Sequence, residues 1–165
     1  MGSIFGFVNS DIKSKIEILE EYRTKQDVGE KFVSVQKMIE YEINTELLHK
    51  KDYVSGSRTL LRLHRGLDFI KNLLKRVGEL EKNDKTSHAA GISYNETLAK
   101  YHPWVIKKAA SVAMYALPKR DELLNKVCSD ADKAIEILPE MLDITEKVYN
   151  CIDALYIKYD LHGLP

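Results

Sequence analysis

One pattern constrains this chain above all others: apolar residues return at intervals of three and four almost from end to end. Over residues 57–82, Leu60, Leu63, Leu67, Ile70, Leu74 and Val77 form one unbroken seam, which a helix of 3.6 residues per turn gathers on a single face. No alternating apolar and polar run bounded by turn residues reads as a strand. The spacing therefore predicts an all-α protein, with helices over about 4–22, 31–49, 57–82, 104–117, 120–128 and 130–159. Gly29 and residues 50–56 punctuate the first three, and the polar residues 83–91 read as a loop. Ser93-x-x-Glu96 spells a capping box for a short helix ending near Tyr101. Pro103 suits the first turn of the next helix, Pro118 closes it, and Pro139 should divide or kink the last.

At 165 residues the chain has the size of a single domain, 1–165, able to bury a core without staples. Cys128 and Cys151 are too few for a disulfide framework and have no spacing that would hold a metal, so a reducing cytosolic setting is the expectation. No window reaches the length of a membrane span, and residues 1–11 lack the basic and apolar regions of a secretory signal. Lys and Arg number 25 against 25 Asp and Glu. That balance excludes a general nucleic-acid binder, whose affinity needs a basic excess, and leaves any anion site to local clustering.

Catalytic templates are missing: no nucleophile elbow, no Gly-rich phosphate loop, no zinc-protease helix, and histidines far apart in sequence. No cofactor motif is present, and the reading is of a non-enzyme. Three features remain. Asp11 and Lys15 stand at i,i+4, which by spacing alone reads as an exposed ion pair worth a few tenths of a kcal/mol. Yet Phe7, Asp11, Lys15, Ile18 and Tyr22 share one stripe, while Phe5, Ile12, Ile16 and Leu19 make a second. A helix with two apolar faces is packed on both sides, and a charge pair inside one of them needs partners.

Arg58, Arg62 and Arg65 fall within about 60° of one another at helical pitch, opposite the apolar seam. They read either as a solvated basic face or, because Phe69 and Leu73 continue the same face, as planar forks placed for bidentate capture of a phosphate. The third feature is His102-Pro103-Trp104. The stripe Trp104, Lys107, Lys108, Ser111, Tyr115 mixes an amphipathic aromatic with cations, as a membrane-contacting surface does. A buried Trp is the other reading of that stripe, and His102 as a helix cap the other reading of the histidine.

The stretches Ser55-Gly-Ser-Arg58-Thr-Leu-Leu-Arg62-Leu-His-Arg65-Gly-Leu-Asp-Phe69, Tyr101-His-Pro-Trp104 and Leu117-Pro-Lys-Arg120 resemble the glycolipid transfer protein superfamily, and within it the branch that carries ceramide-1-phosphate. The likeness runs from Ile4-Phe-Gly-Phe-Val-Asn-Ser-Asp11 to Leu164-Pro165. It implies a two-layer all-α sandwich that takes ceramide tails between its layers, holds the headgroup at a surface cleft and moves lipid between membranes without chemistry. By position, Asp11 matches the carboxylate that accepts from the ceramide amide, His102 the donor to the acyl carbonyl, and Lys15, Arg58 and Arg62 the cations that grip phosphate. Glycolipid-binding members place a Trp at the position of Arg62. A phosphate monoester carries about −1.5 to −2 charge at neutral pH, so cations answer it where a neutral sugar would leave them unpaired.

The resemblance makes Trp104 the membrane-docking aromatic, with Lys107, Lys108, Lys119 and Arg120 facing anionic headgroups. It places Phe5, Phe7, Phe69, Leu98, Val105 and Val112 near the tails. The resemblance implies a further helix before the position that Met1 matches, so a chain shortened at that end relative to the family is the expectation. The resulting expectation is a cytoplasmic, peripherally membrane-associated monomer carrying ceramide-1-phosphate, with no metal and no nucleic-acid partner. A glycosphingolipid carrier and a sphingolipid sensor with little transfer activity are the alternatives.

Overall fold

The computed structural model describes residues 3–128 and 130–165, with the side chains of residues 3–5, 7 and 127 outside that description. These residues form helices α1 (Ser3–Thr24), α2 (Val35–Asn44), α3 (Gly56–Gly78), α4 (Thr86–Glu96), α5 (Trp104–Tyr115), α6 (Arg120–Val127) and α7 (Ala131–Lys158), with single 3₁₀ turns at Gly29–Lys31 and Ala99–Tyr101. Among the described residues there is no strand, so the all-α expectation holds. The chain divides into two compact units, Met1–His64 with Asn150–Pro165, and Arg65–Tyr149. Among the described residues no helix is long and apolar enough to cross a membrane.

In the first unit the core is Ile39 of α2, Leu48, Leu61 of α3, Tyr156 of α7, and Leu161 and Leu164 beyond it. Tyr156 is fully buried, and its hydroxyl finds the carbonyl of Ser57 at 2.7 Å, as a buried phenol must. The turn after α1 depends on Gly29, because a Cβ there would sit 2.6 Å from the backbone oxygen of Arg23. Phe32 follows and stacks on Tyr22 with ring centroids 4.6 Å apart. The second helix starts later than the spacing suggested. Ser34 caps it, its hydroxyl accepting from the amide of Lys37 at 3.3 Å, so Phe32 lies outside the helix and packs from the preceding turn. At its other end Glu46 adopts a left-handed conformation (φ 56°), and Leu47 donates back to Glu42. Asp160 (φ 52°) ends α7 in the same way, with Leu161 donating to Tyr156.

In the second unit Val77, Ala89, Ala90, Tyr94, Leu124 and Leu138 are buried. Here local signals misled. The polar stretch read as a loop contains the first half of α4. Thr86 is fully buried and donates to the carbonyl of Pro118 at 2.6 Å, while Lys85 pairs with Lys119 in an isolated bridge, so contacts distant in sequence start this helix. Ser93 is an interior residue of α4 and no cap, and Glu96 pairs instead with Arg76 at 2.7 Å. Pro139 does not divide the last helix, since α7 runs through it.

Candidate functional site

In the first unit, Asp11 and Lys15 of α1 are joined at 2.5 Å. Their environments differ: the Lys15 side chain is 17% exposed and that of Asp11 53%. Lys15 thus lays its alkyl stem against the protein while the carboxylate keeps its water. Two turns further along α1, the Tyr22 hydroxyl donates to the carbonyl of Val54 at 2.9 Å, just before α3 begins. Arg58 lies in the first turn of α3. Its Nη2 donates to the carbonyl of Tyr53, and to that of Lys50 at 3.4 Å. Arg62 stands one turn later, exposed, with no hydrogen bond or ion pair among the described residues. Lys15, Arg58 and Arg62 therefore all lie within about two turns of the joint between Tyr22 and Val54.

That joint rests on a buried carboxylate the sequence did not announce. Glu42 of α2 is fully buried, and Tyr53, Ser55, Gly56 and Ser57 all donate to it at 2.7–3.0 Å. Gly56 and Ser57 open α3, where backbone amides have no partner within the helix and an anion is favoured. A Cβ at Gly56 would meet Met38 Sδ at 2.7 Å and Phe32 Cε1 at 2.9 Å, so a larger residue there would force these buried side chains to shift.

In the second unit, His102 lies just before α5, its Nδ1 2.8 Å from the Tyr94 hydroxyl, while Phe69 meets the Tyr94 ring edge-on. Burial, and then the charge of Lys107, hold the His102 imidazole below its ordinary value. Burial pushes the Tyr94 phenol up. Both groups are therefore neutral at pH 7. Pro103, and not His102, precedes the first residue of α5.

No described side chain of α5 is buried. Trp104 is 69% exposed and Tyr115 84%, with Val105, Ile106 and Val112 also open between them and Lys107 and Lys108 on the same helix. The Lys108 ammonium lies 5.7 Å from the centre of the Trp104 ring. Lys119 is exposed, whereas Arg120 is only 8% exposed and its guanidinium donates to Asp121 at 3.1 Å.

The sequence profile of the family described as glycolipid transfer protein matches residues 1–129. The chain belongs to the glycolipid transfer protein family. A ceramide-1-phosphate transfer protein of Danio rerio is 38% identical over 170 residues, which cover 100% of this chain and 80% of the relative. The apo crystal structure of the mouse ceramide-1-phosphate transfer protein matches with a TM-score of 0.91 at 34% identity, over 100% of this chain and 82% of that one. The human protein in complex with 12:0 ceramide-1-phosphate matches with a TM-score of 0.87 at 34% identity, over 99% and 81%.

For a member of the glycolipid transfer protein family, the expected tail residues are placed unevenly. Phe69 and Leu98 are half-buried, whereas Val105 and Val112 face outward on α5. The side chains of Phe5 and Phe7 lie outside the described residues. The expectation that α1 is packed on two faces is not met, because Val8, Ile12 and Ile16 form an exposed apolar row. Among the described residues no cluster of His, Cys, Asp and Glu is arranged for a metal. Sequence reading missed Tyr94 and Glu42. Tyr94 had a signal, eight residues ahead of His102 in a short helix, but Glu42 had none beyond standing among apolar neighbours.

Proposed function

We propose that this chain is a cytoplasmic, monomeric carrier that moves ceramide-1-phosphate between membranes by binding and release. The observation that carries the reading is the match, over nearly the whole chain, to a human family member holding 12:0 ceramide-1-phosphate. Residues 1–165 act as one lipid-transfer domain. Trp104 inserts at the membrane interface, with Lys107, Lys108 and Lys119 against anionic headgroups, each cation worth about 1 kcal/mol near such a surface. Arg120 is spent internally on Asp121 and takes no part.

A lipid chain leaving a bilayer must be covered again, at about 0.8 kcal/mol per methylene, so the tails require apolar lining. The headgroup supplies selectivity. Lys15, Arg58 and Arg62 take the phosphate, with Arg62 the fork that has no partner among the described residues. Asp11 accepts from the amide N–H. His102 donates to the acyl carbonyl through Nε2–H, the tautomer enforced when the protonated Tyr94 hydroxyl donates to Nδ1 at 2.8 Å.

The test is transfer of labelled ceramide-1-phosphate between phosphatidylcholine vesicles, beside labelled glucosylceramide and the Arg62→Leu variant. The expected result is transfer of the phosphate lipid alone, lost in the variant. Transfer of glucosylceramide would make the chain a glycosphingolipid carrier, and unchanged transfer by Arg62→Leu would remove Arg62 from the phosphate grip.

A further inference from the structure

Arg58 is held at two points, and both lead to one buried carboxylate. Its backbone N–H donates to Ser55 Oγ at 3.1 Å, and its guanidinium donates to the Tyr53 carbonyl. Ser55 gives its own hydroxyl proton to Glu42 Oε2 at 2.7 Å, and Tyr53 gives its to Oε1 at 2.8 Å. The amides of Gly56 and Ser57 complete the set, one to each carboxylate oxygen, at 2.7 and 3.0 Å. The segment that carries Tyr53, Val54 and Ser55 is thus tied down from inside by Glu42. Its outer side offers one carbonyl to Arg58 and the next to Tyr22.

We propose that Glu42 is a positioning residue for the phosphate grip: it never meets the lipid, and it aims the Arg58 guanidinium by fixing the segment of residues 53–57 against the start of α3. This rests on the carrier reading above and extends it to a residue buried behind the site.

The chemistry requires a carboxylate. Both oxygens face a fixed backbone N–H, so each must be an acceptor, and the negative charge sits at the N-terminal end of α3 where the helix favours it. In Glu42→Gln the shape is kept, yet the amide NH₂ must face Gly56 N–H or Ser57 N–H in either orientation. The hydroxyls of Tyr53 and Ser55 can rotate away from that conflict, and the backbone cannot. The segment then shifts, and Arg58 loses the carbonyl that directs it.

The test is a double-mutant cycle on the full chain, reading transfer of fluorescent ceramide-1-phosphate from phosphatidylcholine vesicles by wild type, Glu42→Gln, Arg58→Ala and the double variant, with folding followed by circular dichroism. Glu42→Gln should lower transfer by about tenfold, the scale of a lost hydrogen bond to a charged group, and should cost less than twofold once Arg58 is already alanine. An equal fold-loss in both backgrounds means that Glu42 only supports the fold, and overturns the proposal. If Glu42→Gln does not fold, Tyr53→Phe replaces it, since that variant removes one bond to Glu42 and keeps the cap on α3. The same loss confined to the Arg58 background is expected. A second readout needs no lipid: the Arg58 Nε–H resonance should move in Glu42→Gln, and an unmoved resonance overturns the assignment. Wild type that carries no ceramide-1-phosphate overturns the carrier reading, and the lipid-free resonance still separates that failure from a failure of Glu42 to position Arg58.

Discussion

The Tyr22 hydroxyl donates to the carbonyl of Val54, 32 residues further along, at 2.9 Å. That bond fastens the C-terminal end of α1, whose stripe carries Asp11 and Lys15, to the segment that leads into α3 and its arginines. The two rings on either side reinforce it, Phe32 stacking on Tyr22 at 4.6 Å and Tyr53 lying 5.9 Å away.

Tyr22→Phe keeps both ring contacts and removes only the hydroxyl. The loss should be about 1 kcal/mol in urea unfolding, with the slope of the transition unchanged. Because the same bond holds the ends that carry Lys15 and Arg58, transfer of ceramide-1-phosphate should fall by more than the unfolded fraction explains. Transfer that tracks stability alone would separate the joint from the headgroup site.

Gly29→Ala tests the turn after α1. The added Cβ would lie 2.6 Å from the Arg23 carbonyl oxygen, a backbone atom that cannot swing aside as a side-chain tip does. The end of α1 must shift, and the expected destabilisation is about 1–3 kcal/mol. A thermal midpoint equal to wild type would show that this turn opens without strain.

How much was legible in the sequence divides along physical lines. The seam from Leu60 to Val77 is a local repeat, and it located α3 to within a few residues. Trp104, Lys107 and Lys108 stand on one short helix, so spacing placed them on one stripe, while the choice between an exposed and a buried Trp was made only by the fold, which leaves Trp104 69% exposed. Thr86, by contrast, begins α4 through a bond to Pro118, 32 residues away, and no local pattern encodes that. Glu42 looks like any helical carboxylate until the loop of residues 53–57 closes over it. Arg120 read as one more surface cation because its burial against Asp121 depends on how the chain returns to Asp84, whose carbonyl accepts the Arg120 amide at 3.0 Å.

Trp104→Ala should divide stability from docking. The side chain is 69% exposed, so its removal should change folding stability by no more than about 0.5 kcal/mol. Sedimentation with vesicles containing phosphatidylserine should fall sharply, and the transfer rate with it. Undiminished vesicle binding would move the docking surface away from the start of α5.

The Tyr94–His102 pair makes a prediction with a definite sign. Burial, with the charge of Lys107 second, holds the imidazole below its ordinary 6.5, so the unfolded chain binds more protons than the folded one between those two values. Stability therefore rises with pH across that interval. The contribution is complete above pH 6.5 and is lost as the pH falls toward the folded value. Protonation at Nδ1 also ends its role as acceptor for the Tyr94 hydroxyl, which burial keeps protonated. Thermal midpoints at pH 7.5, 6.5 and 5.5 should fall more steeply on acidification in wild type than in His102→Gln, which cannot titrate. Equal slopes would remove His102 as the source.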